Sequence, residues 1–284
     1  MVFLVNLIKS ILYGIVQGIT EWLPVSSTAH LIMMNAFMPL NVFDNPVFNQ
    51  EFWDLYKVVI QLGSIFAVIF VYWKRLWPFQ QKISAKRKSS ILRMWVLIII
   101  ACVPTGIAGI LLDDLIDTKL SSTWIISLML ICVGVLLIWM ETMTRETPIT
   151  STGKISPLQA FLVGCWQILA LIPGTSRSGA TIFGETMMGF SRVTAVEFSF
   201  FLAIPVMFGA SLLKVIKYFA GGAVFSASAA VVLLVGMASA FAVSMVIIRF
   251  MLNYIRKHDF SLFGFYRILL GLIMLVFTIF GILA

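Results

Sequence analysis

The chain has 284 residues, of which 61% are hydrophobic and only 11% are charged, with a net charge of +8. Soluble domains carry about 25% charged residues, so this composition excludes a large soluble domain and predicts an integral membrane protein with several helical spans. The apolar runs are continuous and helix-length, which excludes a β-barrel built from alternating segments of about 10 residues.

The first half of the predicted fold, residues 1–140, begins with a re-entrant hairpin and continues with three spans. The hairpin covers about residues 4–38, and residues 40–54 are predicted to form an exposed loop because they contain three acidic side chains. The spans are predicted at about 55–73, 92–112 and 123–140.

The second half, residues 157–284, follows a polar linker at 141–156 and repeats the same order. A second Pro-broken hairpin is predicted at about 157–189. Three spans follow at about 196–217, 226–250 and 262–283. The sequence therefore predicts an all-α polytopic membrane protein made of two repeats, each a re-entrant helix hairpin plus three transmembrane helices.

The stretch Lys74–Arg93 fixes the orientation, because it holds seven basic and no acidic residues. Short basic loops face the cytoplasm and attract anionic membrane lipids. This loop is too short and too closely flanked by spans to predict nucleic-acid binding. With it inside, 40–54 and 113–122 lie outside, and the linker 141–156 is cytoplasmic.

Counting spans onward from the linker gives the relation between the halves. If the second hairpin enters and leaves on one side, Arg256–His258 lies inside, as the positive-inside rule requires. The first half then starts outside and the second inside, which predicts inverted-topology repeats. In such folds the interrupted segments mark a binding site near the membrane midplane.

Each predicted hairpin carries polar residues where a membrane segment should stay apolar. Gln17–His30 reads QGITEWLPVSSTAH around Pro24, and Gln167–Thr181 reads QILALIPGTSRSGAT around Pro173. Non-helical backbone is tolerated at membrane depth only when it is buried in protein or lines a wet cavity. We therefore expect the two stretches to meet and form one site.

Arg177 is the only formal charge in the second stretch. A charge in a membrane should face a cavity or a partner, and the guanidinium fork suits phosphate oxygens. A structural pair with Glu21 is the alternative. The flanking residues favour an anion site at a helix start, and they are Thr175, Ser176, Ser178 and Gly179.

Glu21 is a candidate ligand for a divalent cation such as Mg²⁺, which one or two carboxylates hold together with substrate phosphates. Gln17 lies four residues earlier on the same helix face and is a candidate second ligand. Ser27 is a candidate nucleophile if a base lies within reach, and His30 is the candidate base. Ser26 and Thr28 are expected to cap the next helix or to bind phosphate.

Two motifs in these stretches resemble the signatures of the bacterial undecaprenyl pyrophosphate phosphatase family, also called the bacitracin-resistance protein family. They are EWLPVSSTAH (Glu21–His30) and PGTSRSGATI (Pro173–Ile182). Three further stretches fit the same family, so the resemblance spans the whole chain: VVIQLGSI (Val58–Ile65), EFSFFLAIP (Glu197–Pro205) and Tyr266–Arg267.

This resemblance implies an enzyme that hydrolyses undecaprenyl pyrophosphate to the monophosphate at the outer face of the bacterial inner membrane, usually with Mg²⁺ or Ca²⁺. It also implies recycling of the cell-wall carrier lipid. The family usually has two Glu four residues apart, but here the first is Gln17, so the resemblance secures only Glu21 as a metal carboxylate. The positions it makes functional are Glu21, Ser27, His30, Ser176, Arg177, Thr181 and, for phosphate binding, Arg267.

Three questions stay open at this point. A transporter or lipid flippase would also use inverted repeats and phosphate recognition. The nucleophile is Ser27, His30 or a water molecule. The sequence does not decide between a monomer and a homodimer.

Overall fold

The computed structural model describes residues 2–143 and 146–283, without the side chains of Asp113, Asp114 and Asp117. Within this part of the chain the architecture is helical, apart from one isolated bridge between Ile149 and Phe190. Its α-helices are α1 (Val2–Thr20), α2 (Ser27–Phe37), α3 (Pro46–Val59), α4 (Gln61–Val71), α5 (Trp73–Leu76), α6 (Ala85–Leu115), α7 (Thr123–Thr142), α8 (Pro157–Ile168), α9 (Arg177–Met187), α10 (Arg192–Ala220), α11 (Ala227–Ile255) and α12 (Ser261–Ile279). Short π- and 3₁₀-helical turns occupy Ile116–Leu120, Thr152–Lys154 and Leu169–Leu171.

Seven helical segments in the described chain are long and apolar enough to cross a membrane. This confirms the prediction of an all-α multi-pass membrane protein. One of the seven is α1, which was predicted as the first arm of a re-entrant hairpin and has 19 residues. The seven are α1, the α3–α4 pair, α6, α7, α10, α11 and α12.

The predicted exposed loop at 40–54 is wrong in its second half. Asn45 accepts a hydrogen bond from the backbone N–H of Val47, and Pro46 occupies the first turn, so α3 begins there. Phe52 and Trp53 are buried on its inner face. The cap and the N-terminal proline are favourable helix-start signals. Burial of the apolar side chains then stabilises the helix despite the three acidic residues.

The basic stretch Lys74–Arg93 is also less loop-like than predicted. Helix α5 covers Trp73–Leu76, and α6 starts at Ala85 and runs for 31 residues. Lys and Arg are good helix formers, so a cluster of basic residues can extend a span beyond the membrane. Near the predicted turn at 113–122, α6 continues to Leu115 and a π-helical turn follows.

Two glycines let α1 and α8 approach longer helices so closely that no side chain fits between the backbones. A Cβ placed on Gly14 of α1 would lie 2.3 Å from the carbonyl oxygen of Gly236 in α11. A Cβ placed on Gly164 of α8 would lie 2.2 Å from the carbonyl oxygen of Ala101 in α6. Small residues allow such close packing of membrane helices, and this packing holds the first helix of each hairpin in place.

Candidate active site

Two sharp turns face each other at the ends of α1 and α8. The first leads into α2 and the second into α9, and each ends on a serine with positive φ, 72° at Ser26 and 70° at Ser176. Each serine hydroxyl accepts the backbone N–H three residues on, at 3.4 Å from Ala29 and 3.2 Å from Gly179. Such backbone costs about 1–3 kcal/mol per residue, so the surrounding contacts must hold both turns.

Arg267 of α12 is the side chain that holds them. It is fully buried. Its Nη1 donates to the carbonyl of Pro24 at 3.1 Å, and its Nη2 donates to the carbonyls of Gly174 at 2.8 Å and Thr175 at 2.9 Å. One guanidinium therefore satisfies backbone oxygens of both turns. This geometry does not support the prediction that Arg267 binds phosphate, because the guanidinium bonds to the backbone and does not line the cavity between the two turns, which Arg177 does.

Glu21 is the centre of a buried hydrogen-bond network just before the first turn. Its Oε2 accepts from Gln17 Nε2 at 2.9 Å and from Ser27 Oγ at 2.8 Å. Its Oε1 accepts from Arg177 Nη2 at 3.2 Å, and both side chains of this ion pair are less than 10% exposed. The two polar stretches therefore meet, as the sequence predicted, through the Glu21–Arg177 contact.

The other arm of the Arg177 fork is anchored to α10. Nη1 donates to the carbonyl of Ser199 at 2.7 Å and to its hydroxyl at 3.1 Å. Thr181, one turn after Arg177, shares a 2.7 Å hydrogen bond with the same Ser199 hydroxyl. Ser199 and Thr181 therefore fix the direction of the guanidinium without facing the cavity themselves.

A cavity of about 130 Å³ lies between the two turns. The first turns of α2 and α9 both face it, and helix N-termini carry partial positive charge that favours phosphate. Arg177 adds a full positive charge on the same side. The lining residues are Glu21, Ser26, Ser27, Thr28, Gln61, Ala170, Ile172, Pro173, Gly174, Ser176, Arg177 and Met207.

Six predicted residues line this cavity, namely Glu21, Ser26, Ser27, Thr28, Ser176 and Arg177. Others lie behind it. Gln17 supports Glu21, Ser178 bonds to Ser176 and to the carbonyl of Leu23, and a Cβ on Gly179 would lie 3.4 Å from Arg267. Thr175 is buried, and its hydroxyl bonds to no described residue.

His30 lies outside the cavity lining, and its contacts do not match the predicted role as base for Ser27. Its Nδ1 lies 2.7 Å from the carbonyl of Ser26, so Nδ1 carries the hydrogen. Its Nε2 lies 2.7 Å from the hydroxyl of Tyr266. Ser27 instead donates to Glu21, so the geometry favours the carboxylate as the base.

Two residues of the site received no role from the sequence. Gln61, at the break between α3 and α4, lines the cavity, and a polar residue inside an apolar span was the available signal. Ser199 is a serine in a long apolar helix, and only its contact with Arg177, 22 residues away in sequence, reveals its role.

The residues around Glu21 fit a small divalent cation. The Gln17 amide donates to Glu21 through its nitrogen. Its oxygen is buried and accepts no hydrogen bond from a described residue. Together with the Glu21 carboxylate and the Ser27 hydroxyl it gives a set of hard oxygen donors. Within the described residues no group of three His, Cys, Asp or Glu could hold a metal, so phosphate oxygens would have to complete the shell.

We expect Arg267→Lys to lower the thermal stability of the protein more than Arg192→Lys. Lysine has one nitrogen and cannot reach the carbonyls of both turns from one position. Each buried carbonyl left unpaired costs about 1–3 kcal/mol. Arg192 pairs with Glu141, but its own side chain is 45% exposed, and a lysine at this position keeps the positive charge beside Glu141. Thermal unfolding in detergent measures both, and equal small losses would show that Arg267 does not hold the turns.

The chain is similar to known proteins over nearly its whole length. The family model described as "Bacitracin resistance protein BacA" matches residues 10–273. A Streptococcus thermophilus protein named undecaprenyl-diphosphatase is 45% identical over 97% of this chain and 94% of its own length. Proteins of that name from Enterococcus faecalis and Acetivibrio thermocellus are 45% and 46% identical, each over 96% of this chain and 98% of their own length. The chain therefore belongs to the bacitracin resistance protein BacA family.

Proposed function

We propose that the protein hydrolyses undecaprenyl pyrophosphate to undecaprenyl phosphate and inorganic phosphate, recycling the cell-wall carrier lipid and conferring bacitracin resistance. The observation that carries this is the cavity in which Arg177, Glu21 and Ser27 meet between two helix N-termini. Two lining residues, Gln61 and Met207, belong to segments that are long enough to cross a membrane, which suits a substrate with a lipid tail. The relatives named undecaprenyl-diphosphatase support the same reaction.

Arg177 binds the pyrophosphate in this proposal. Its fork is held by Ser199 on one side and reaches Glu21 on the other. A phosphate entering the cavity takes over the arm that now contacts Glu21. The N–H groups at the starts of α2 and α9 and the hydroxyls of Ser26, Thr28 and Ser176 bind the remaining oxygens. Such charge stabilisation and positioning is the main need of phosphoryl transfer.

Ser27 is the proposed nucleophile and Glu21 its base. The hydrogen bond of 2.8 Å between them lies within the reach that general-base catalysis requires. Ser27 Oγ attacks the terminal phosphorus and passes its proton to Glu21, while the bond to the bridging oxygen breaks and the prenyl monophosphate leaves. Water then cleaves the phosphoserine, which releases inorganic phosphate and restores Ser27.

A divalent cation, Mg²⁺ or Ca²⁺, is part of the proposal. Glu21 and the free oxygen of Gln17 would hold it. When bound it supplies positive charge to the pyrophosphate oxygens. One carboxylate and one amide are weaker than the two carboxylates usual in the family, so we expect loose binding that depends on substrate.

The inverted-repeat architecture also belongs to this proposal. Gly14 and Gly164, Gln17 and Gln167, and Ser26 and Ser176 are each about 150 positions apart in the sequence. Members of each pair lie at like places in their hairpins, and the glycines pack α1 on α11 and α8 on α6. We assign both hairpins as re-entrant, in two halves of opposite orientation. The basic stretch Lys74–Arg93 then faces the cytoplasm, and the active site opens to the outer side of the bacterial inner membrane.

We expect purified protein in detergent to release one phosphate from a polyprenyl pyrophosphate. A flippase would bind this substrate and release none.

Arg177→Lys should lower the rate of phosphate release about 10²-fold or more, since a lysine keeps the charge and loses the fork. Glu146→Gln is the control, because Glu146 is exposed and remote from the cavity. Near-normal turnover of a folded Arg177→Lys protein would make Arg177 a structural residue only.

Gln17→Glu should strengthen cation binding, because a second carboxylate replaces a neutral amide oxygen. We expect the Kd for Mg²⁺, measured by calorimetry in the presence of inorganic phosphate, to fall about tenfold or more. Excess chelator should stop phosphate release by the unaltered protein. Full activity in chelator would exclude the cation, and an unchanged Kd would exclude Gln17 as its ligand.

A cysteine at position 28 should react with a membrane-impermeant thiol reagent added to intact cells. Thr28 lines the cavity and is half-buried. The variant is made after replacing the free cysteines Cys102, Cys132 and Cys165. Ser89→Cys, in the exposed part of the basic stretch, is the matched control and should react only after the cells are permeabilised. The reverse labelling pattern would overturn the proposed orientation.

A further inference from the structure

Glu185 is a buried acid that the proposed reaction does not use. It lies on α9, eight residues after Arg177, and is 0% exposed. Neither of its carboxyl oxygens forms a hydrogen bond to a described residue. An ionised carboxylate without partners is very costly away from water. The group therefore needs a proton, a cation or a route to water.

The position of Glu185 relates it to the catalytic arginine. At about 3.6 residues per turn, Thr181 and Glu185 follow Arg177 on one side of α9. Helical side chains lean toward the N-terminus of their helix, so the Glu185 carboxyl points back toward the Arg177 end. Arg177 and Glu185 attract each other electrostatically, and this positive neighbour disfavours a metal cation beside Glu185.

A second cavity lies close to Glu185 in sequence. It has a volume of about 580 Å³ and lies at the other end of α9, lined in part by Thr186, Phe190, Arg192 and Arg256. Thr186, next to Glu185 in sequence, is 8% exposed, and its hydroxyl bonds to no described residue. The cavity therefore reaches the residue next to Glu185 but not the carboxyl itself.

Other charged groups on the elements packed against α9 have partners of their own. Glu141 of α7 pairs with Arg192 at the start of α10, and Glu197 of α10 pairs with Arg75. Cys165 lies on α8, and Lys214, Lys217 and Tyr218 lie at the far end of α10. Arg177 is therefore the charge that a change at Glu185 would affect.

We propose that Glu185 is a proton-binding site, a neutral carboxylic acid that, when it ionises at high pH, weakens the binding of phosphate by Arg177. A negative charge behind the guanidinium lowers the positive potential that an incoming phosphate meets. Eight residues of helix rise about 12 Å. Phosphate at the start of α9 lies at that distance or farther, so repulsion between two unit charges changes its binding by up to about tenfold at an effective dielectric constant of about 20.

Infrared spectroscopy tests the protonation directly. The unaltered protein near neutral pH should show the C=O stretching band of a protonated carboxylic acid, and that band should disappear at high pH and in Glu185→Gln. Glu146→Gln removes an exposed acid, is the matched control and should leave the band intact. Identical bands in the unaltered protein and in Glu185→Gln would overturn the proposal. If the glutamine variant does not fold, Glu185→Met, which is also neutral and similar in size, takes its place.

Binding of inorganic phosphate to the detergent-solubilised protein tests the effect on Arg177. This arm rests on the proposed phosphate site, whereas the infrared arm does not. The Kd of the unaltered protein should rise about tenfold more than that of Glu185→Gln between neutral and alkaline pH. Parallel profiles would overturn the link to Arg177. If neither protein binds phosphate at any pH, the proposed phosphate site and this link both fail, while the infrared result still decides the proton site.

Discussion

The site depends on one buried guanidinium that bonds to the backbone of both turns. A break in a membrane helix leaves carbonyl groups without partners, which lipid cannot supply. An arginine in the same region is equally costly when it is alone. Arg267 and the carbonyls of Pro24, Gly174 and Thr175 satisfy each other. Removing either partner leaves the other buried and unsatisfied, so the two breaks and α12 form one unit.

The same constraint explains why serines with positive φ persist at both turns. Ser26 and Ser176 adopt a conformation that side chains disfavour. Each hydroxyl offsets part of that cost by capping the helix that follows. The result is that α2 and α9 begin abruptly and aim their free N–H groups at the same cavity. The strained serines are therefore what places the helix N-termini at the cavity, and these N-termini make it suitable for an anion.

The sequence was informative where the signal was local. Polar residues around Pro24 and Pro173 predicted that two broken segments meet, and the Glu21–Arg177 contact agrees. The predicted pairing of His30 with Ser27 is not seen, and the partner of the imidazole, Tyr266, lies 236 residues away in sequence. The assignment of Arg267 to phosphate is likewise not supported. A basic residue in a family motif suggests a ligand, and only tertiary structure reveals that its donors are already used.

The chemistry of the site arises where the two polar stretches differ. At an offset of 150 residues Gln17 matches Gln167 and Ser26 matches Ser176, which is the pattern that the proposed repeat requires. Glu21, however, corresponds to Leu171, and Ser27 corresponds to Arg177. One stretch therefore supplies the carboxylate and the hydroxyl, and the other supplies the positive fork. The Glu21–Arg177 hydrogen bond of 3.2 Å joins these complementary groups, so the site exists only where both stretches meet.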